Sequence, residues 1–226
     1  MKDRLFIWTL LVEGGLHVPL LMGQGFHIQT GYSYLWCRSW DRVLNYYYFT
    51  RPYLNGSPRY LESGFTVSTG YAFSSFRAPI HGVVAGYSNA WAVYREDNYR
   101  LRFWWHTVMA GYRARLRRMS RAEGFYGELG IHFAGAWLER KSYWKDNNTL
   151  HHRYVAFGWG GGFSGEAGYM LPYEEWVARP GFFVKVASNF IHMPGAEVAL
   201  NQTQGLYLRN WHTVVMLQGG ISLLIR

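Results

Sequence analysis

Four residues in this sequence have the types that ester hydrolysis requires. Ser164 offers a hydroxyl, His132 a base, and Glu128 or Glu166 a carboxylate to orient that base; such a set activates an otherwise weak serine nucleophile. A plainer reading takes the same residues together with Glu62, Arg100, Arg102, His106, Arg179, Lys185 and His212. These are charged and imidazole side chains that would pair with one another inside a protein, because a buried charge without a partner is strongly unfavourable. On this reading the interior polar set is structural and no residue is catalytic, with the hydrolase as the alternative. His151 and His152 raise the question of a metal, but adjacent loop histidines are ordinarily solvated. Neither metal nor cofactor is expected. Cys37 is the only cysteine, which excludes a disulfide within the chain and a Cys-rich metal site. The glycines from Gly158 to Gly162 form no phosphate loop, since no Gly-Lys-Ser/Thr follows them.

The elements that would position these residues show in the composition. Of 226 residues 49% are hydrophobic, yet mean hydropathy is −0.17, and no apolar run approaches the roughly 18 residues of a spanning helix. The apolar residues are dispersed. Aromatics reach 19% while charged residues are only 16%, below the quarter or so typical of a soluble domain. Tyr and Trp gather where an apolar surface meets water, as in the two girdles of a transmembrane barrel.

Apolar and small or polar residues alternate in segments that are long for soluble strands. Strands are predicted over 25–37, 59–75, 79–95, 98–116, 123–142, 152–171, 175–191 and 205–226. In the first, Phe26, Ile28, Thr30, Tyr32, Tyr34 and Trp36 share the outward face. In the fourth, Tyr99, Leu101, Phe103 and Trp105 are expected outward, with Arg100, Arg102 and His106 inward. The sixth opposes Val155, Phe157, Trp159 and Phe163 to a row of glycines, which leaves room for bulky neighbours in a narrow barrel. Connections at 38–58, 143–151 and 192–204 are long and fall on one side with the short turn at 96–97. Those at 76–78, 117–122 and 172–174 are short and fall on the other side, the asymmetry of outer-membrane barrels. The fold class is all-β: a closed antiparallel up-and-down transmembrane β-barrel of about eight strands over residues 25–226. Residues 1–24 read either as a signal-like segment or as an extra strand, which with a partner at 43–49 would make ten.

This pattern resembles the small outer-membrane barrels of the OmpA, OmpX and PagL type over residues 25–226, and its glycine- and aromatic-rich character is similar to those of Bacteroidota. The resemblance implies the outer membrane of a Gram-negative bacterium. It departs from the type in ending on Arg226, where such barrels commonly end on an aromatic residue. PagL-type lipid A deacylases carry a Ser/His/Glu set on an eight-stranded barrel, which is what the alternative assignment of Ser164, His132 and Glu128 or Glu166 would imply. No His-x-Ser-Asn-like motif is present; Ser188-Asn189-Phe190-Ile191-His192 has the types in another order.

The formal charge of +9 favours acidic partners. Arg113, Arg115, Arg117, Arg118 and Arg121 are expected to run from the fourth strand into a periplasmic turn and to contact lipid head groups or a partner. Trp40, Tyr46, Tyr47 and Tyr48 in the first long loop are expected to bind a partner or an envelope polymer. Nucleic acid is not expected, because the aromatics alternate along strands rather than clustering beside the arginines. The expected function is a non-enzymatic outer-membrane barrel that serves as a binding or accessory subunit of an envelope complex. Its expected partners are outer-membrane lipids and lipopolysaccharide. A lipid A or phospholipid acyl hydrolase is the alternative.

Overall fold

A computed structural model describes residues 25–41, 44, 61, 63–73, 80–95, 99–115, 124–144, 149–171, 178–194 and 210–225. Alternating sequences of this kind form strands because successive side chains point to opposite faces. They are β1 (Phe26–Trp36), β2 (Ser63–Phe73), β3 (Ile80–Arg95), β4 (Tyr99–Arg115), β5 (Phe125–Trp144), β6 (Leu150–Met170), β7 (Ala178–His192) and β8 (Trp211–Ile225). Each pairs antiparallel with the next, and β1 also pairs with β8 from Phe26↔Ile225 to Trp36↔Val215, so the sheet is a closed eight-stranded barrel. Among the described residues the ladder closes at eight strands through the β1–β8 seam. Residues 1–24 and 45–50 lie outside the described residues.

The polarity of the wall is that of a membrane protein. Every strand exposes large apolar side chains on its outer face, with Phe133 82%, Tyr32 76% and Phe157 68% accessible. A soluble barrel would turn those faces inward; here they form a continuous apolar belt. No described helix is long and apolar enough to cross a membrane, so the crossing is made by strands. β1 and β2 have 11 residues each, matching the roughly 9–11 that a tilted strand needs to span. β5 and β6 have 20 and 21 and rise beyond the belt at the end that carries the long connections.

The interior has two levels. Toward the short-turn end it is polar, holding His27, Gln29, Arg113, Arg115, Glu128, Glu166 and Lys185; Tyr126, Met170 and Leu224 pack there as a small apolar cluster. Toward the loop end it is apolar, with Leu35, Trp40, Leu44, Leu61, Phe103, Trp105, Leu138 and Met216 in one cluster.

This layering corrects the expected facing of β4. Leu101, Phe103 and Trp105 point inward and are buried, as are Arg113 and Arg115; Arg100, Arg102 and His106 share the outward face with Val108 and Tyr112. The strand keeps one phase throughout. Apolar-outward alternation holds only where lipid hydrocarbon surrounds the wall, and above that level the inside is the apolar side.

Glycine at 160 is a steric requirement. A Cβ there would collide with the backbone carbonyl oxygen of Phe190 on β7, whereas at Gly135 nothing lies within 4 Å. Gly160→Ala is therefore expected to destabilise the barrel by about 1–3 kcal/mol or more, and Gly135→Ala to leave it unchanged. Urea unfolding of the two refolded variants in detergent micelles, followed by the gel shift between folded and heated protein, checks this.

Candidate functional site

The ionisable groups inside the barrel are joined by strand register. Arg115 faces Glu128 across β4–β5, Glu128 faces Glu166 across β5–β6, and Glu166 faces Lys185 across β6–β7. Arg115 donates through Nε to Glu128 Oε1 at 2.7 Å and through Nη2 to the same oxygen, while Arg113 Nη1 donates to Glu128 Oε2 at 3.1 Å. Arg113 Nη1 also donates to His27 Nδ1 at 3.1 Å. Glu166 Oε1 accepts from Gln29 Nε2 at 2.5 Å and from Tyr126 Oη at 2.9 Å, and Ser68 Oγ donates to Gln29 Oε1 at 2.8 Å. The Arg115 guanidinium lies 4.7 Å from the centre of the Tyr126 ring. At the short-turn rim, Arg179 donates through Nε and Nη2 to the Leu171 carbonyl at 3.2 and 3.1 Å.

Of the polar set read from the sequence, the structure brings together Glu128, Glu166 and Lys185, and it sets His132 and His212 apart. His132 Nε2 lies 2.6 Å from Asn189 Oδ1, and its cross-strand partners are Gly111 and Gly162. Ser164 pairs across the ladder with Gly130 and Ala187. The hydrogen bonds found for His132 and Glu128 thus run to Asn189 and to two arginines, not along a serine–base–carboxylate chain. Glu62 lies outside the described residues, as do Arg117, Arg118 and Arg121. Arg113 and Arg115, expected at a membrane or partner surface, are buried ion-pair partners of Glu128 instead. His27, Gln29 and Tyr126 joined the network unforeseen. Their positions on the inward face were readable from the alternation, but their partners lie on distant strands.

Trp40 is also corrected. It is fully buried, not presented to a partner. A helical turn at 38–41, closed by Asp41 N donating to the Cys37 carbonyl at 3.0 Å, folds it into the barrel mouth. There its ring stacks on His212 at 4.7 Å and meets Trp105 at 5.7 Å. Ser39 Oγ lies 2.9 Å from His212 Nδ1 and 3.2 Å from Cys37 Sγ. Trp40 is part of a plug. Tyr46, Tyr47 and Tyr48 lie outside the described residues.

Outside, above the belt, β3 to β6 carry a second cluster. His106 stacks on Trp137 at 4.7 Å, and its Nδ1 lies 2.6 Å from Tyr87 Oη. One ladder row higher, Trp104 pairs with Glu139; the next row is Arg102, Lys141 and Arg153. Lys141 Nζ and Arg153 Nε donate to Glu139 at 2.8 and 2.6 Å, while Arg102 lies 5.2 Å from the centre of the Tyr143 ring.

An even number of antiparallel strands, an apolar belt and a filled polar-to-apolar interior define the form of bacterial outer-membrane proteins. The chain is an eight-stranded outer-membrane β-barrel. Its architecture is that of the OmpA and OmpX type. No family model matches the sequence, and no curated protein is similar to it at a significant level. Among solved structures it is similar to Ail, the attachment invasion locus protein of Yersinia pestis, crystallised in complex with the heparin analogue sucrose octasulfate. That comparison gives a TM-score of 0.47 at 14% identity over 88% of this chain and 99% of that one. A second crystal structure of Ail gives 0.36 at 14% identity over the same shares.

Two expectations follow. Glu128→Gln leaves Arg113 and Arg115 buried without their carboxylate and should destabilise the barrel by about 3–5 kcal/mol, read as a fall in the urea midpoint of unfolding in micelles. Burial pushes the Cys37 thiol from 9.0 up to about 11. The folded protein therefore holds this proton more tightly than the unfolded chain. The resulting stabilisation is complete below pH 9 and is lost as pH rises toward 11. Maleimide labelling at neutral pH should accordingly be slow in folded protein and fast in urea-unfolded protein; equal rates would contradict this burial.

Proposed function

We propose that this outer-membrane barrel works by binding, as an accessory component of the cell envelope, through its outer wall and loop-bearing end. The observation that carries the reading is the filling of the interior. At the polar level Arg113 and Arg115 donate to Glu128, Glu166 accepts from Gln29 and Tyr126, and Lys185 stands opposite Glu166 in the ladder. Trp40, Leu44, Leu61, Phe103 and Trp105 occupy the other level. An eight-stranded barrel is just wide enough for side chains to fill, and among the described residues side chains fill this one at both levels. What remains for recognition is the surface.

Lipopolysaccharide is the envelope partner that such a surface meets first, and membership of a larger envelope complex is the second part of the proposal. Both draw support from the net positive charge of the chain and from the cationic row above the aromatic level of β4–β6.

Planar-bilayer recording and an acyl-release assay on the same refolded preparation test the reading. The expected results are no stepwise open-pore conductance and no fatty acid released from lipid A or phospholipid. Fatty-acid release that disappears in Ser164→Ala would establish the hydrolase instead, and sustained conductance would establish a pore.

A further inference from the structure

We propose that the outer wall of β4, β5 and β6 at the loop end is a binding site for the phosphates of a membrane glycolipid head group, with diphosphoryl lipid A as its occupant. This rests on the outer-membrane reading and deepens it. Arg102 pairs across the ladder with Lys141, and Lys141 with Arg153, so three cations on neighbouring strands stand in one row on the outward face. Like charges directly opposite one another in a sheet repel. A row kept only for stability would alternate its signs. Glu139, one row below, bonds Lys141 and Arg153. Arg102 and, one row above it, Arg100 form no ion pair among the described residues. Arg100 Nε, Arg102 Nε and Trp104 Nε1 likewise lack a hydrogen-bond partner among the described residues.

The height of the row selects a lipid. Below it on the same strands come Trp104, then His106, Trp137 and Phe157 in one row, then the exposed Val108 and Trp159, and one row further down Phe133. Tryptophan marks the level where hydrocarbon gives way to head groups, so the cations stand where head-group phosphates lie. Guanidinium forks match phosphate oxygens in pairs, and Lys141 adds a point charge. Three strands span about 10 Å, a width suited to one head group carrying two phosphates. The loop end of such barrels faces outward, into the leaflet built of lipopolysaccharide.

The test uses refolded full-length protein in detergent micelles, with apparent Kd read by native mass spectrometry. The lipids are diphosphoryl lipid A, its dephosphorylated form and phosphatidylglycerol. The proteins are wild type, the combined Arg102→Gln, Lys141→Gln and Arg153→Gln variant, and Arg38→Gln, an exposed arginine in the helical turn after β1, away from β4–β6. Diphosphoryl lipid A should bind wild type about tenfold or more tightly than either other lipid, and the combined variant should lose about that factor. Arg38→Gln should bind as wild type does. Equal wild-type affinity for the dephosphorylated lipid would overturn the site without reference to any variant, as would an unchanged affinity in a folded combined variant. A preference for phosphatidylglycerol would overturn the glycolipid assignment. Wild type that shows no gel shift between folded and heated forms would instead sink the outer-membrane reading itself.

Discussion

Inside a lipid bilayer no water is present to satisfy a backbone N–H or C=O, and each unpaired group is unfavourable by several kcal/mol. An open sheet carries a full row of such groups on each edge. The pairing of β1 with β8, continuous from Phe26↔Ile225 to Trp36↔Val215, removes both edges at once, and the rest of the molecule follows from it. Closure at eight strands fixes a narrow interior. A narrow interior must be filled by side chains, and those side chains must satisfy one another.

The two ends solve that problem differently. Near the short turns the wall lies in hydrocarbon, and the inward face holds polar groups in which cations and carboxylates stand side by side along the ladder. Glu128 accepts from two arginines while Glu166 is flanked by Lys185, Gln29 and Tyr126. The ions are tolerable there because Arg113 and Arg115 share the Glu128 carboxylate, Glu166 accepts two hydrogen bonds, and Lys185 stands opposite Glu166 in the ladder. Near the loops the strands emerge from the hydrocarbon, the outside becomes charged, and the inside becomes a conventional apolar core around Trp40 and Trp105. Among the described residues the lumen is filled at both levels, while on the outer face β4–β6 gather cations above their tryptophans.

The strands themselves were legible in the amino-acid sequence, because alternation sustained over ten or more residues matches the two-residue period of a strand and not the 3.6-residue period of a helix. The asymmetry of the connections set their number. Facing was legible wherever a strand stays in hydrocarbon. It failed on β4, where Leu101, Phe103 and Trp105 lie above that level and carry their apolar side inward. The misread phase then placed Arg100, Arg102 and His106 inside and Arg113 and Arg115 outside. Trp40 was misplaced for a related reason: a loop aromatic looks accessible until the helical turn at 38–41 folds it into the barrel mouth. Network membership was hidden because it depends on register between distant segments, as with His27 and Arg113, 86 residues apart. Sequence spacing alone carries no such information.

The seam is the feature on which everything else rests, and solution NMR of the protein in detergent micelles addresses it directly. Cross-strand amide and Hα contacts between β1 and β8 in the observed register, Thr30 opposite Ile221 and Tyr34 opposite Leu217, are expected together with slow exchange of their paired amides against deuterium. Rapid exchange along β1 and β8 with no contact between them would show an open sheet and would contradict the closed barrel.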